Sequence, residues 1–182
     1  MVSCTPLGRK SRCKICRSEF IKRSISHKVC SPECAVEWAK AEKEKKDRKE
    51  LRVKKEKIKS RSDLTKEAQA AFNKFIRLRD ANEPCISCGR YHQGQYHAGH
   101  YLSTGARPEL RFDESNVHKQ CSACNNHLSG NIALYRIALI KKIGLAEVER
   151  LEGPQQPKKY TAEELREIKR EYTSKVKLMG AN

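Results

Sequence analysis

The sequence predicts a mainly α-helical fold with one small α+β module stapled by metal. Three observations lead there: four closely spaced cysteine pairs, a charged stretch over 35–61 free of Pro and Gly, and apolar residues at three- and four-residue steps in later segments. Only 37% of the 182 residues are hydrophobic, too few for one large core, so small folded modules joined by solvated segments are expected. Lys and Arg number 39 against 22 Asp and Glu, a formal charge of +17. Such a field attracts polyanions and repels basic partners, which puts nucleic acid first among partner classes. The sequence contains no run of 18 apolar residues, and residues 1–10 lack the apolar core of a secretory signal. No membrane partner is therefore expected, and the cytoplasm is the expected location.

The elements follow in chain order, beginning with the cysteines. Eight of the nine fall into pairs, Cys13/Cys16, Cys30/Cys34, Cys85/Cys88 and Cys121/Cys124, and Cys4 reads as a free thiol with no assigned role. In a reducing compartment such pairing points to metal and away from disulfides. Cys13, Cys16, Cys30 and Cys34 have the spacing by which two knuckles present four thiolates to one zinc, which assigns residues 1–34 to an N-terminal zinc knuckle. Ser31 and Pro32 resemble an N-cap and a first-turn proline, so a helix should start there with Cys34 in its first turn. Residues 35–61 carry many opposite charges at helical spacing and too few apolar residues for a heptad seam. They read as a long exposed helical spacer whose net positive charge could track phosphates.

A third division, residues 62–182 with its core at 84–131, opens with a helix near Ser62 or Asp63. Its apolar face is Leu64, Ala68, Ala71, Phe72, Phe75 and Leu78. Beyond the core a helix is expected over 132–142, then a break at Gly144, a short helix to Leu151 and the loop 153–157. Thr161 and Glu164 form a capping box for a last helix with Leu165, Ile168, Tyr172, Val176 and Met179 on its apolar face.

The chemistry concentrates between and just after the second set of cysteines. Cys85, Cys88, Cys121 and Cys124 can close a second four-thiolate zinc site, which leaves no open position for water and is therefore structural. His97, His100, Asn116, His118, Asn125, Asn126 and His127 crowd around it, a density of metal-type polar residues that favours a functional centre over packing or surface histidines.

The order Cys-x2-Cys, a strand with terminal His, a downstream Asn, then Cys-x2-Cys followed at once by Asn resembles the HNH (ββα-metal) nucleases, in the variant found in phage endonuclease VII. Over nearly the whole chain the sequence also resembles the lambda NinG (Rap) family of phage recombination endonucleases. The stretches that carry this are Pro84-Cys85-Ile86-Ser87-Cys88-Gly89, Ala98-Gly99-His100-Tyr101, Leu110-Arg111-Phe112, His118-Lys119-Gln120-Cys121 and Ser129-Gly130-Asn131.

The resemblance implies that His100 is the general base, that Asn116 ties the loop that orients it, and that Asn125 is a metal ligand at the start of a helix. HNH proteins usually carry Asp or His directly before the base, and here that residue is Gly99. His97 is the nearest substitute ligand. His118 and His127 are further candidates for metal or scissile phosphate, with a surface or zinc-supporting role as the open alternative. Imidazole, amide and phosphate oxygens suit a hydrated hard ion, Mg2+ or Mn2+. Arg107, Arg111, Lys119 and Arg136 are candidate phosphate contacts, with Tyr96 and Tyr101 available to stack.

The function expected from the resemblance is a metal-dependent, structure-specific endonuclease acting on branched DNA during phage recombination inside the host cell. A homodimer and host recombination proteins are possible partners. The alternative is a non-enzymatic zinc-containing DNA-binding adaptor, and RNA-directed cutting is a third option, because the centre reads phosphate geometry and not the sugar.

Overall fold

The computed structural model describes residues 9–180, so Cys4 lies outside the described part of the chain. Two compact units divide at Lys59/Ser60.

In the first unit, β1 (Lys10–Arg12) and β2 (Glu19–Ile21) pair antiparallel around the turn that carries Cys13 and Cys16. The helix α1 (Pro32–Lys57) follows, capped by Ser31, whose hydroxyl accepts from Cys34 N, with Pro32 in its first turn. No residue of α1 is buried. The expected boundary between 34 and 35 is not a structural one: Cys34 belongs to both the helix and the cysteine cluster, so knuckle and spacer are continuous. The helix also stops four residues short of the expected 61, at Lys57.

The second unit opens with α2 (Arg61–Arg79), one or two residues earlier than sequence reasoning placed it, because the N-cap is Ser60: its hydroxyl accepts from Asp63 N. A hairpin of β3 (Tyr96–His100) and β4 (Val117–Cys121) comes next, with His97 opposite Gln120, Gly99 opposite His118 and His100 opposite Val117. A π-helical turn (Ala123–His127) leads through three consecutive left-handed residues, Ser129, Gly130 and Asn131, into α3 (Ile132–Ile143). Gly144 separates α3 from α4 (Leu145–Glu152). The last helix, α5 (Ala162–Met179), begins at the Thr161/Glu164 capping box.

Successive strand residues face opposite ways, so the hairpin has two packing faces. On one, Val117 and Ala98 join Phe72, Phe75 and Ile76 of α2 and Tyr172 of α5. On the other, Tyr135 of α3 donates its hydroxyl to the Gly99 carbonyl at 3.0 Å, and with Leu139, Val148 and Leu151 it forms a core against Tyr101 and Leu110. A five-residue strand with both faces covered is buried throughout, His118, Lys119 and Gln120 included. Of the apolar positions expected on α2 and α5, Leu78 and Met179 remain largely exposed, since each lies in the final turn of its helix beyond the packed segment.

Candidate functional site

The two cysteine clusters are built alike. In each, the first Cys-x2-Cys forms one turn in which the residue after the second cysteine donates to the first cysteine's carbonyl: Arg17 N to Cys13 O at 3.1 Å, and Gly89 N to Cys85 O at 2.8 Å. Both of those residues have positive φ, 62° for Arg17 and 65° for Gly89. Such a turn aims backbone N–H groups and both sulfurs inward. In each quartet the four sulfurs lie within 4.8 Å of one another. Zn–S bonds of about 2.3 Å in a tetrahedron place sulfurs about 3.8 Å apart, and Cys30 and Cys34 stand at 3.8 Å.

The proton distribution also suits a cation. Burial acts to raise the Cys13 thiol, but N–H donors from Ile15, Cys16 and Cys30 outweigh it and bring the thiol down to about 6. Its neighbour Cys30 is pushed up to about 12, first by its bond to Cys16. In the second quartet the Cys121 N–H reaches Cys85 Sγ at 3.3 Å, and the same kind of donors lower Cys85 against its burial. Burial drives Cys124 up to about 12. A divalent ion bound by all four sulfurs would bring every one of them to the thiolate form, which is the metal-binding state. Both quartets can hold zinc, through Cys13, Cys16, Cys30 and Cys34 and through Cys85, Cys88, Cys121 and Cys124. Sequence reasoning missed His92, whose Nε2 stands 3.1 Å from Cys88 Sγ. Its position four residues after a cysteine was the available signal.

Beside the second quartet, His100 and Asn125 line one open cleft with Ser103, Thr104, Ser129 and Gly130. His100 ends β3, and its Nε2 lies 3.0 Å from the Arg111 carbonyl. A carbonyl only accepts, so Nε2 carries the proton and Nδ1 keeps a lone pair. Burial holds this imidazole below its ordinary pKa, and the Arg111 charge adds to that, while the bond to the Arg111 carbonyl opposes both.

Asn116 is fully buried and pins the loop that follows His100. Its Oδ1 accepts from Leu102 N (2.9 Å), its Nδ2 donates to the carbonyls of Leu102 (3.0 Å) and Leu110 (3.2 Å), and its own carbonyl accepts from Tyr101 N (2.8 Å). Both strand exits are thereby fixed.

Asn125 differs from expectation in its setting. It rides the π-helical turn and not the first turn of an α-helix, because the left-handed run 129–131 interrupts the chain before α3. That turn is clamped: Gly130 N donates to Cys124 O at 2.9 Å, and Asn131 Nδ2 reaches Cys124 Sγ at 3.6 Å. Asn125 Nδ2 donates to Asn126 Oδ1, leaving its carbonyl oxygen as a ligand atom.

His97, His118 and His127 are not among the residues lining this cleft. Three residues separate His97 from His100, an odd step that puts the two on opposite faces of the hairpin. His118 is buried, and its Nδ1 lies 3.3 Å from the Tyr135 hydroxyl. Because that hydroxyl gives its one proton to Gly99 O, His118 is the donor. Burial brings His118 down to about 3, which fixes it neutral. His127 is exposed on the same turn as Asn125.

The Gly99 departure has a steric cause. A β-carbon there would lie 2.0 Å from Gln120 Oε1. Gln120, which sequence reasoning gave no role, donates through Nε2 to Ser87 Oγ (2.7 Å) and Gly130 O (2.5 Å), tying the hairpin to the cleft loop. Among the described residues its buried Oε1 has no hydrogen-bond partner, and Gly99 leaves it space.

The four candidate phosphate contacts are engaged internally. Lys119 is buried, donating to Ala81 O at 2.7 Å with its ammonium 4.4 Å from the Tyr96 ring centre. Arg107 pairs with Glu109 and donates to the Gly153 carbonyl. Arg136 forms two bonds to Glu152, which also accepts from the Tyr101 hydroxyl, and these hold the Glu152 carboxyl down at about 2. Arg111 donates to Gln69 Oε1 at 3.2 Å. Charge alone in a sequence does not distinguish such ties from a free surface.

Fold and site together define a basic, mainly helical protein organised by two tetracysteine clusters, with a small hairpin module beside the second. The family described as "Bacteriophage Lambda NinG protein" matches residues 6–181, and the chain belongs to the NinG family. It is 45% identical to "Protein ninG" of Salmonella phage P22, with 92% of this chain and 93% of that one covered. With "Protein ninG" of Escherichia phage lambda it shares 43% identity over 94% and 93% of the two chains. No solved structure matches it.

Proposed function

We propose that the chain is a metal-dependent endonuclease that hydrolyses phosphodiester bonds in branched DNA during phage recombination, with the cleft of His100 and Asn125 as its centre. The observation that carries this reading is the 3.0 Å bond between His100 Nε2 and the Arg111 carbonyl, which assigns the proton to Nε2 and leaves Nδ1, on a residue that lines the cleft, with a lone pair. Such a nitrogen can take a proton from water as that water attacks phosphorus.

The cleft offers a divalent ion one hard protein ligand, the Asn125 carbonyl oxygen, with water and phosphate oxygens left to complete the coordination. Bound there, Mg2+ or Mn2+ would offset the charge that develops on the phosphate and the leaving oxygen. Asn116 acts through His100 as a positioning residue, fixing the loop on which the imidazole depends. The cysteine quartet beside it supplies rigidity where no large core exists. Branched DNA as substrate, a homodimer that cuts opposed strands, and host recombination proteins as partners rest on the family resemblance alone.

A non-enzymatic DNA-binding adaptor is favoured by one observation: among the described residues no carboxylate lines the cleft, and Gly99 stands where the usual motif supplies a ligand. The two readings separate when zinc-loaded protein is incubated with labelled linear, forked and four-way DNA, and with an RNA counterpart, with Mg2+, with Mn2+ or with neither. The nuclease reading expects cutting only with an added ion, strongest on branched DNA. Salt-sensitive binding with no cutting under either ion would establish the adaptor instead.

A further inference from the structure

We propose that one face of α1, formed by Lys45, Arg48, Lys49, Arg52 and Lys55, is a contact surface for the phosphate backbone of duplex DNA and holds substrate independently of the cleft. The identity of the polyanion rests on the reading above; the surface itself rests on α1.

The five cations recur at steps of three and four and so share one side of the helix, where their stems flank a shallow groove with Leu51. Glu42, Glu44, Asp47 and Glu50 fall to the sides or the back. Glu56, at the end of the face, is paired with Lys59. Among the described residues none of the five cations has an ion-pair partner. The face instead stacks like charges: Lys45 over Lys49 and Arg48 over Arg52, each an i,i+4 pair that opposes an isolated helix by about 0.2–0.5 kcal/mol.

The solvent side of α5 matches its charges, with Glu163–Arg166, Glu167–Arg170 and Glu171–Lys175. On α1, Glu42 and Glu44 lie at helical steps from Lys45 and Arg48, but among the described residues they form no ion pair with them, and the face stays unneutralised. An anionic partner relieves that repulsion. The span from Lys45 to Lys55 is about 15 Å at the helical rise, a length of duplex axis over which each strand places about four phosphates at about 3.4 Å of axial rise each. A lipid surface is a poor fit, because α1 buries nothing and its few apolar residues, Leu51 and Val53 among them, do not gather into a stripe.

The test is fluorescence anisotropy of a labelled duplex with the full, zinc-loaded chain and no added divalent ion, across a salt series. One variant carries Lys45→Gln, Arg48→Gln, Lys49→Gln and Arg52→Gln. A second removes the same charge from the other side of the helix through Lys43→Gln, Lys46→Gln, Lys54→Gln and Lys57→Gln. Glutamine keeps helix propensity, and circular dichroism checks that α1 persists.

The expected result is that the first variant lowers the slope of log affinity against log salt by about two to three and binds at least about tenfold more weakly at about 100 mM salt. The second variant should change affinity much less. Equal losses in both variants would show that only overall charge matters and overturn the proposal; so would an unchanged first variant, or no binding by the unaltered chain. Cutting, read separately with Mg2+, keeps the two ideas apart: a chain that binds through α1 but never cuts removes the nuclease reading and leaves this one standing.

Discussion

Among single residues, the neighbours of His100 are tightly determined. Gly99→Ala forces a β-carbon into Gln120 Oε1, a contact that no rotamer of alanine can avoid. The expected cost is about 1–3 kcal/mol in urea unfolding of the zinc-loaded protein. Truncating Gln120 to Ala as well removes Oε1 and Cδ and leaves only its β-carbon at 2.9 Å, so the double variant should be less destabilised than the sum of the two singles, and simple additivity would count against this packing. Asn116→Ala removes three side-chain bonds and leaves the Leu102 amide unpaired, for an expected loss of about 2–4 kcal/mol by the same measurement. The Gly99 departure was visible in the sequence as a missing ligand. Its cause was not, because the amide that fills the space comes from Gln120, on the opposite strand.

Individual elements were legible to the degree that their signals were local. The Thr161/Glu164 box and the break at Gly144 are read from three or four adjacent residues, and both are present. The start of α2 was misplaced because Ser60 and Ser62 are equally good caps by type, and only the bond to Asp63 N selects the first. The π-helical turn under Asn125 has no composition of its own; it follows from the clamp of Gly130 on Cys124 and the left-handed run behind it.

For β4, burial of His118 has a consequence in acid. Its pKa in the folded protein, about 3, lies below the unfolded value of about 6.5. The unfolded chain therefore binds the extra proton first, and stability is lost as pH falls from about 6.5 toward the folded value, by up to about 1.4 kcal/mol per pH unit. Urea unfolding at several pH values should show this slope, and His118→Asn should flatten it. An unchanged slope would mean that His118 is already charged or solvent-exposed.

Across the whole molecule, the chain divides into two compact units, each with one cysteine quartet. The division at Lys59/Ser60 leaves residues 60–182 with all of the helix-packed hairpin and one complete cysteine quartet. That fragment, loaded with zinc, should melt as one cooperative transition on its own, and removing zinc should abolish the transition. A fragment that fails to fold with zinc would show that the first unit contributes to the second one's core. The composition and cysteine spacing of the chain expose this modular plan directly, since metal ligands must recur at fixed steps. The cleft was only partly legible, because bringing Asn125 near His100 depends on long-range bonds through Asn116, Gln120 and Gly130. No periodicity records those bonds.

The most direct measurement of the central idea is single-turnover cleavage of a labelled four-way junction by His100→Ala protein with Mg2+, beside a binding curve on the same sample. Loss of the general base should lower the cleavage rate by at least about a hundredfold while affinity for the junction stays the same. The acid limb of the unaltered protein's pH–rate profile should lie below about 6.5, because burial depresses the His100 pKa and keeps the imidazole neutral further into acid. Cleavage by His100→Ala at the rate of the unaltered chain would contradict the assignment.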